Sequence, residues 1–239
     1  MRRSTNKIIV SHAGVLPRPP DLQQLMAAGP DKVDEFNKRV PSAVAEVVKK
    51  QIDTGIDVVN DGEQGKRGGF SNYVRERFSG LEVRSNAERG EGPGNIAARD
   101  AKIFPGYYAM PGRTFGTGQR AQPGAGGGAG AGAGLNGPVF CTGPIKYIGQ
   151  EAVKTDIANF KAALGSNPSV EGYLPAIAPG TIEHWLRNEY YKTPQEFLFA
   201  IADAMHEEFK AITDAGFVLQ VDDPDLPDGW QMYPDMSVD

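Results

Sequence analysis

The chain has 239 residues, of which 40% are hydrophobic and 23% are charged, a composition typical of a globular protein with a sizeable core. Its formal net charge of -5 and its lack of a basic stripe exclude nucleic acid as a main partner. No apolar run reaches the roughly 18 to 20 residues that a membrane span needs, and the N-terminus lacks the apolar core of a signal peptide. The single cysteine, Cys141, can form no internal disulfide, so we expect a cytoplasmic protein.

The first part of the chain predicts alternating strands and helices. A short strand is followed by a proline-rich loop that can continue neither strand nor helix. Two helices come next, and the longer one carries Val44, Val47, Val48 and Ile52 on one stripe. A second strand then runs into the sequence DGEQG. The predicted elements are a strand at Lys7–Val10, helices at Asp21–Ala28 and from about Ser42 to Asp53, a strand at Ile56–Asn60 and a helix at Phe70–Leu81.

A long irregular segment interrupts this alternation. Residues 82–137 show no sustained hydrophobic period, and Gly124–Gly134 consists only of glycine and alanine. Such a run cannot bury enough apolar surface to offset its ordering entropy. We therefore predict a loop insertion at 82–137, with a hairpin around Ile103–Thr114, inside a single partial barrel domain that spans residues 1–239.

Regular structure resumes after the insertion and ends in a strand that is followed by acids. The last helix has a capping box, Thr193 to Glu196, with proline at its first helical position. Its stripe of Phe197, Ile201, Met205, Phe209 and Ile212 is expected to pack on the sheet. The elements are strands at Pro138–Tyr147, Val170–Ala178 and Phe217–Val221, and helices at Gln150–Leu164, through Trp185, and after Thr193. Strand and helix thus alternate roughly five times, which predicts an α/β fold with a parallel sheet.

Carboxylates follow two of the predicted strands at equivalent positions. Asp61 and Asp222 each lie six residues after a glycine that ends the preceding helix, Gly55 or Gly216. Glu63 lies two residues after Asp61. Because α/β folds place their chemistry at the carboxyl ends of the strands, these acids are candidates to bind a cationic ligand or a metal, or to act as acid or base. A solvated turn is the alternative, since Asp-Gly is a common turn pair.

The remaining polar residues give weaker signals. Asp223 and Asp225 either support Asp222 or face solvent, and His12 in the first loop either acts in the site or makes a structural hydrogen bond. His206 is predicted to lie on a solvated helix face, and Cys141 to be a buried, inert thiol. No zinc-binding spacing of cysteine and histidine occurs, so no zinc site can be predicted from the sequence, and no glycine motif for binding phosphate is present.

Together, five segments resemble the cobalamin-independent methionine synthase family, in particular its catalytic C-terminal barrel and stand-alone relatives. The matching segments are HAGVLPRP, VVNDGEQGKRGGFSNYVRERFSGLE, CTGPIKY, PAIAPGTIEHWL and LQVDDPDL. The resemblance implies a TIM-type (β/α)8 barrel in which Zn²⁺ activates a homocysteine-like thiol that takes a methyl group from a methyltetrahydrofolate-like donor. It also implies that Glu63 and Asp222 hold the amino group of the thiol substrate. The backbone of Ala13, Gly14 and Val15 would hold the same substrate.

Two departures from the family pattern qualify this resemblance. Val15 replaces a serine of the family, which weakens the assignment of homocysteine itself. The family's zinc ligands, a His-x-Cys, a Glu and a final Cys, follow the segment that matches LQVDDPDL and have no counterpart here. We therefore expect an incomplete barrel of about the first five βα units, from a longer enzyme or a truncated gene product, and we expect its open edges to self-associate. The alternatives are an enzyme that joins a coenzyme thiol to an epoxide, and a non-catalytic remnant that binds a small ligand or a partner.

Overall fold

The structure is a computed structural model that describes residues 2–67, 70–85, 98–108, 138–166 and 170–226. The chain forms two compact units, each built from three separate stretches of sequence. The first unit comprises residues 1–67, 149–176 and 207–221, and the second comprises residues 68–148, 177–206 and 222–239. The prediction of a single domain stays a prediction. In the part of the chain that is described, no helix combines the length and the apolar character that crossing a membrane requires.

Helices and strands alternate along the described chain, which confirms the predicted α/β class. The helices are α1 (Pro20–Ala27), α2 (Val33–Asp53), α3 (Phe70–Arg77), α4 (Ala98–Ile103), α5 (Pro105–Tyr108), α6 (Gln150–Leu164), α7 (Pro179–Trp185) and α8 (Pro194–Asp214), with a 3₁₀ turn at Gly29–Lys32. The strands are β1 (Val58–Val59), β2 (Leu81–Val83), β3 (Val139–Cys141), β4 (Glu171–Ile177), β5 (Arg187–Asn188) and β6 (Val218–Asp222).

Helix α2 begins nine residues before the predicted start at Ser42 and runs through Pro41. A proline inside a helix removes one hydrogen bond and costs about 3 kcal/mol, which is why the sequence favoured a start after it. The helix continues because Val40 and Val44, on either side, are buried together with Phe36. The buried stripe also includes Gln51, whereas Ile52, predicted to lie on it, is only half-buried.

The first unit is organised around a sheet in the order β1, β4, β6. Strands β1 and β4 are parallel, with Val58 opposite Glu171. The predicted strand at Lys7–Val10 is wrong as a regular strand, since only Ser11 forms a parallel bridge with Val58. The segment is tied to the sheet edge by hydrogen bonds from the backbone N–H groups of Asp57 and Val58 to the carbonyl oxygen of Val10.

Strand β6 is less buried than its apolar sequence predicts. The five residues of β4 from Tyr173 to Ile177 are buried, but all of β6 is half-buried or exposed, and Val221 is 49% exposed. The prediction of a strand buried on both faces is therefore wrong for the described chain. Phe217, just before the strand, packs instead on Phe160 of α6 with ring centroids 4.8 Å apart.

The second unit contains a separate sheet in the order β2, β3, β5. Strand β3, the core of the predicted strand Pro138–Tyr147, pairs antiparallel with β2 and parallel with β5. It was expected to be the third strand of one parallel sheet, and that expectation is wrong because its backbone bonds go to the short strand β2. The described residues therefore do not show five consecutive βα units.

The predicted insertion at 82–137 contains regular structure at its start and centre. Strand β2 extends to Val83, and α4 and α5 occupy residues 98–103 and 105–108. The predicted hairpin is wrong up to Tyr108, where the chain is helical, and its remainder lies outside the described residues. Gly124–Gly134 also lies outside them.

Gly80 fixes how closely the turn before β2 approaches the turn after β3. It has φ +77°, and a Cβ placed there would lie 2.6 Å from the carbonyl oxygens of Gly143 and Pro144. Because the left-handed conformation and the close backbone each add a cost, we expect Gly80→Ala to lower the free energy of unfolding by about 2–4 kcal/mol. Urea titration measures this loss.

Gly55→Ala is the matched control for Gly80→Ala. Gly55 has φ +85°, but a Cβ there would meet nothing within 4 Å. Only the conformational cost of about 1–2 kcal/mol should then remain. Equal losses of stability in the two variants would contradict the close approach of the two turns.

Candidate functional site

The candidate site of the first unit lies where β1 ends. Residues 61–66, called here the Glu63 loop, follow Asn60 directly, and residues 12–18 form the first loop. The two loops are tied together through their backbones, because the N–H of Leu16 donates to the carbonyl oxygen of Gly62 at 3.2 Å. The side-chain amide of Gln64 donates back to the carbonyl oxygen of Leu16 at 3.1 Å. The loops therefore form one structural element.

Asn60 is the polar centre of this element and is fully buried. Its amide nitrogen donates to the carbonyl oxygen of His12 at 2.7 Å and to the hydroxyl of Tyr173 at 2.5 Å. Its amide oxygen accepts a hydrogen bond from the N–H of Gly62 at 2.7 Å. The hydroxyl of Tyr173 also donates to the carbonyl oxygen of His12. One side chain thus joins the first loop, the Glu63 loop and β4.

The backbone of Asn60 is held by a side chain from α2. The Nε2 atom of Gln51 donates to the carbonyl oxygen of Asn60 at 2.7 Å, and its Oε1 atom accepts from the N–H of Asn60 at 3.1 Å. Gln51 therefore takes the part that a neighbouring strand would play at this position. Sequence reasoning missed it, although it lies four residues after Val47 on the buried stripe of α2.

Glu63 lies inside the site in a strained conformation. It is 5% exposed, and with φ +54° it is the one non-glycine residue with positive φ in the described part of the chain. A strained backbone of this kind costs of order 1–3 kcal/mol and persists only where its surroundings hold it. The carboxylate of Asp61 accepts a hydrogen bond from the N–H of Glu63 at 3.0 Å and supplies part of that hold.

Two cations compensate the acids of the Glu63 loop. The Nζ atom of Lys66 lies 3.6 Å from Oε2 of Glu63 and donates to the carbonyl oxygen of Pro175 at 3.1 Å. Arg18, from the first loop, donates to main-chain carbonyl oxygens of the Glu63 loop. Neither cation was predicted as a site residue, because lysine and arginine in loops are usually solvated.

Burial strongly affects two acids near Lys66. Burial raises the pKa of Asp61 to about 6, with Lys66 opposing the rise and Asp156 and Glu63 adding to it. Burial also raises the pKa of Glu208, on α8, to about 8, against the attraction of Lys66. Glu208 is 1% exposed, although it lies two residues after His206, which was predicted to lie on a solvated helix face. Its neighbour His206 is exposed, as predicted.

The other predicted site residues of the first unit lie in the first loop. Gly14 has φ +83°, and Ala13 beside it is exposed while Val15 is half-buried. His12 contributes its carbonyl oxygen to Asn60 and Tyr173, and its Nε2 atom is buried with no hydrogen-bond partner in the described chain. These contacts are made by the backbone, so the choice between a role in the site and a structural hydrogen bond for the His12 side chain stays a prediction.

Asp222 belongs to the second unit, so its pairing with Glu63 stays a prediction. It is the last residue of β6, and its carbonyl oxygen accepts a hydrogen bond from the N–H of Ala178 at 2.9 Å. The two following acids are bound to α7. Asp223 accepts from the hydroxyl of Thr181 at 2.9 Å, and Asp225 accepts from the indole N–H of Trp185 at 2.9 Å. These bonds hold both acids on α7, and a role of either acid in supporting Asp222 stays a prediction.

The residues in the described chain do not fit a zinc ion. They contain no cluster of three or more His, Cys, Asp or Glu side chains that could hold a metal. Cys141 is buried, its thiol donates to the carbonyl oxygen of Gly143 at 3.3 Å, and burial raises the pKa of the thiol. A zinc-bound cysteine is a thiolate, which this environment disfavours.

In this α/β chain, a loop of buried carboxylates follows a strand of a partly parallel sheet, which is the edge where such folds commonly bind ligands. No protein-family model matches the chain. Among curated proteins it is 27% identical over 215 residues to the methionine synthase of Sulfolobus acidocaldarius, which covers 88% of this chain and 50% of that protein. It is 24% identical over 217 residues to the methionine synthase of Saccharolobus solfataricus, covering 89% of this chain and 52% of that protein.

Two solved structures that this chain resembles in fold are also named methionine synthases. The B12-independent methionine synthase of Shewanella sp. W3-18-1, in complex with selenomethionine, matches 89% of this chain and 50% of its own, with a TM-score of 0.53 and 20% identity. A Listeria monocytogenes protein assigned as a vitamin-B12-independent methionine synthase matches 91% of this chain and 53% of its own, with a TM-score of 0.57 and 18% identity. The chain is thus similar in sequence to methionine synthases and in fold to cobalamin-independent methionine synthases, as its motifs predicted, and it spans about half the length of the curated relatives that it matches.

Proposed function

We propose that this chain carries the amino-acid-recognising part of an enzyme that transfers a methyl group to a homocysteine-like thiol. The observation that carries the proposal is the buried, strained Glu63 in the Glu63 loop, at the position where the family resemblance assigns recognition of an amino group. Similarity to methionine synthases over 88% of the chain supports it. The incomplete TIM-type barrel belongs to the same proposal.

The carboxylate of Glu63 would accept hydrogen bonds from the substrate ammonium group, and Asp222 would provide a second carboxylate. Charge-assisted hydrogen bonds of this kind contribute about 1.5–3 kcal/mol each. The Shewanella relative was solved with selenomethionine, an amino acid that carries such an ammonium group. The backbone of Ala13, Gly14 and Val15 would contact the rest of the amino acid.

The zinc ion and the methyl donor fall outside what these residues can supply. Zinc is expected for the family, but the described side chains do not fit it, so this chain is assigned no step of the transfer itself. In the longer relatives, the remaining half of the protein would hold the metal, and the donor would be methyltetrahydrofolate-like. Val15 in place of a serine leaves open a thiol other than homocysteine.

The proposal is tested by titrating the full chain calorimetrically with two thiols. L-Homocysteine has the ammonium group, whereas 4-sulfanylbutanoate has the same thiol and carboxylate without it. We expect the wild type to prefer L-homocysteine and Glu63→Gln to weaken its binding by roughly tenfold or more, because one charge-assisted hydrogen bond is lost. Binding of 4-sulfanylbutanoate should stay unchanged.

Glu46→Gln is the matched control for Glu63→Gln. Glu46 is an exposed glutamate of α2 in the same unit, paired with Arg39, and its change should leave both affinities as they are. Equal affinity of the wild type for the two thiols would contradict recognition of an amino group. It would favour a thiol substrate without one.

A further inference from the structure

Arg18 makes an unusual set of contacts for a half-buried arginine. Its Nη2 atom donates to the carbonyl oxygen of Glu63 at 2.8 Å and to that of Lys66 at 2.7 Å. Its Nε atom lies 3.5 Å from the carbonyl oxygen of Gln64. The guanidinium therefore contacts three backbone carbonyl groups of the Glu63 loop, and the three residues lie within four consecutive positions of the sequence.

These carbonyl groups converge because the chain turns sharply at Glu63. The positive φ of Glu63 brings the oxygens of residues 63, 64 and 66 to one side of the loop. Three carbonyl dipoles that point at one region repel each other unless a donor with several N–H groups lies between them. A guanidinium supplies five donors in a fixed, planar arrangement, whereas an ammonium group supplies three from a single point.

The electrostatic surroundings of Arg18 fit this arrangement. Burial lowers the pKa of Arg18, and the nearby acids Glu63 and Asp61 oppose that effect. The guanidinium thus stays close to the two carboxylates of the loop while its direct hydrogen bonds go to the backbone. Its contacts determine where the backbone of Glu63 lies, and they leave the carboxylate oxygens of Glu63 available to other groups.

We infer that Arg18 is a positioning residue that holds the Glu63 loop in its strained conformation, so that the carboxylate of Glu63 is correctly oriented for a substrate ammonium group. This inference rests on the proposed function and names a further residue for the same site. Arg18 itself touches no substrate in this arrangement. It acts through the backbone of Glu63, Gln64 and Lys66.

The test compares Arg18→Gln and Arg18→Lys with the wild-type chain in two measurements. The first is hydrogen exchange of the amides of Gly62, Glu63 and Lys66, each of which donates a hydrogen bond within the loop or to Asn60. The second is the ratio of affinities for L-homocysteine and 4-sulfanylbutanoate. Arg39→Gln is the control, because Arg39 also bonds side chains in the first unit but none of the Glu63 loop.

For Arg18→Gln we expect exchange in the loop to become roughly tenfold faster, while the amides of α6 keep their rates. We also expect the preference for L-homocysteine to fall by roughly tenfold, with the affinity for 4-sulfanylbutanoate unchanged. Arg18→Lys should restore part of both quantities, since one ammonium group can bond one or two of the three carbonyl oxygens.

Two results would overturn the inference. One is unchanged exchange in the loop of Arg18→Gln. The other is an equal loss of affinity for both thiols, which indicates a general structural role that is unrelated to the ammonium group. If the wild type has no preference between the thiols, the proposed function fails, and the exchange rates alone then decide whether Arg18 holds the loop.

Discussion

Replacing Glu208 with Gln should make the protein more stable at pH 8 and above, and should leave its stability at pH 5 nearly unchanged. Burial raises the pKa of Glu208 to about 8 in the folded chain, from an ordinary value of 4.5. The native state therefore binds the proton more tightly than the unfolded chain does. As a result, the free energy of unfolding of the wild type falls as the pH rises from about 4.5 to about 8.

The difference between the pKa of Glu208 in the unfolded chain and its pKa in the folded chain corresponds to a loss on the order of 4 kcal/mol in the free energy of unfolding. A glutamine is nearly isosteric with the protonated acid and cannot lose a proton, so Glu208→Gln should remove this pH dependence. Burial also raises the pKa of Asp61, from 3.8 to about 6. Asp61 therefore lowers the free energy of unfolding in the same way as the pH rises, but only up to about pH 6. The variant should thus retain a slope between about pH 4 and 6 and become flat between about pH 6 and 8.

Urea titrations at half-unit steps from pH 4.5 to 9 measure this profile. Glu207→Gln is the matched control, because Glu207 is the exposed neighbour on the same helix and accepts a hydrogen bond from Gln150 at 3.0 Å. Its profile should follow that of the wild type within about 0.5 kcal/mol. A steep fall between pH 6 and 8 that persists in Glu208→Gln would show that a group other than Glu208 causes it, and would contradict the prediction.

Gln51→Leu should lower the free energy of unfolding by about 2–6 kcal/mol, measured by urea titration at constant pH. The change is close in volume but leaves the N–H and the carbonyl oxygen of Asn60 without the side chain that pairs them. Asn60 is fully buried, so water cannot replace the lost partners. Each unsatisfied backbone group costs about 1–3 kcal/mol, which gives the expected range.

Gln24→Leu serves as the control for this prediction. Gln24 is an exposed glutamine of α1 in the same unit, and its replacement should change the stability by no more than about 0.5 kcal/mol. A loss below about 1 kcal/mol in Gln51→Leu would mean that Asn60 finds other partners. In that case Gln51 would merely fill space beneath the loop.

The helices were well predicted because hydrophobic spacing is a local signal. Helix α6 has the predicted bounds, and one half of the capping box before α8 is present, with the N–H of Glu196 donating to the hydroxyl of Thr193 at 3.1 Å. The carboxylate of Glu196 accepts from the N–H of Lys192 at 3.1 Å, one residue before the capping threonine. Gln51 and Glu208 occupy positions on the same buried stripes as Val47 and Met205, at helical spacing. These two residues were not predicted to be buried because their side chains are polar, although their helical spacing places them on the buried stripes.

The pairing of strands could not be predicted in the same way. The apolar run at Val139–Cys141 indicates a buried strand but does not indicate its neighbour. Its partner β2 has only three residues, too few for a period, and lies more than fifty residues earlier. The assignment to one parallel sheet failed for that reason.

The acids of the candidate site were predicted from the sequence, but the residues that hold their loop in place were not. Asp61 and Glu63 were found because they follow a strand. Arg18 bonds only backbone carbonyl groups, and those converge only once Glu63 has adopted its positive φ. No residue pattern along the chain records that geometry, so the arginine could be recognised only in the folded structure.

The pairing of β2 with β3 has a consequence for how the length of this chain can change. The N–H of Arg84 donates to the carbonyl oxygen of Pro138 at 3.0 Å, so the long segment between them starts and ends at one place. Once the two ends of a loop are held together, doubling the number of residues between them adds only about 0.6 kcal/mol to the entropy cost of closing it. We therefore expect changes in the number of residues between these two strands to alter the stability of their pairing only slightly.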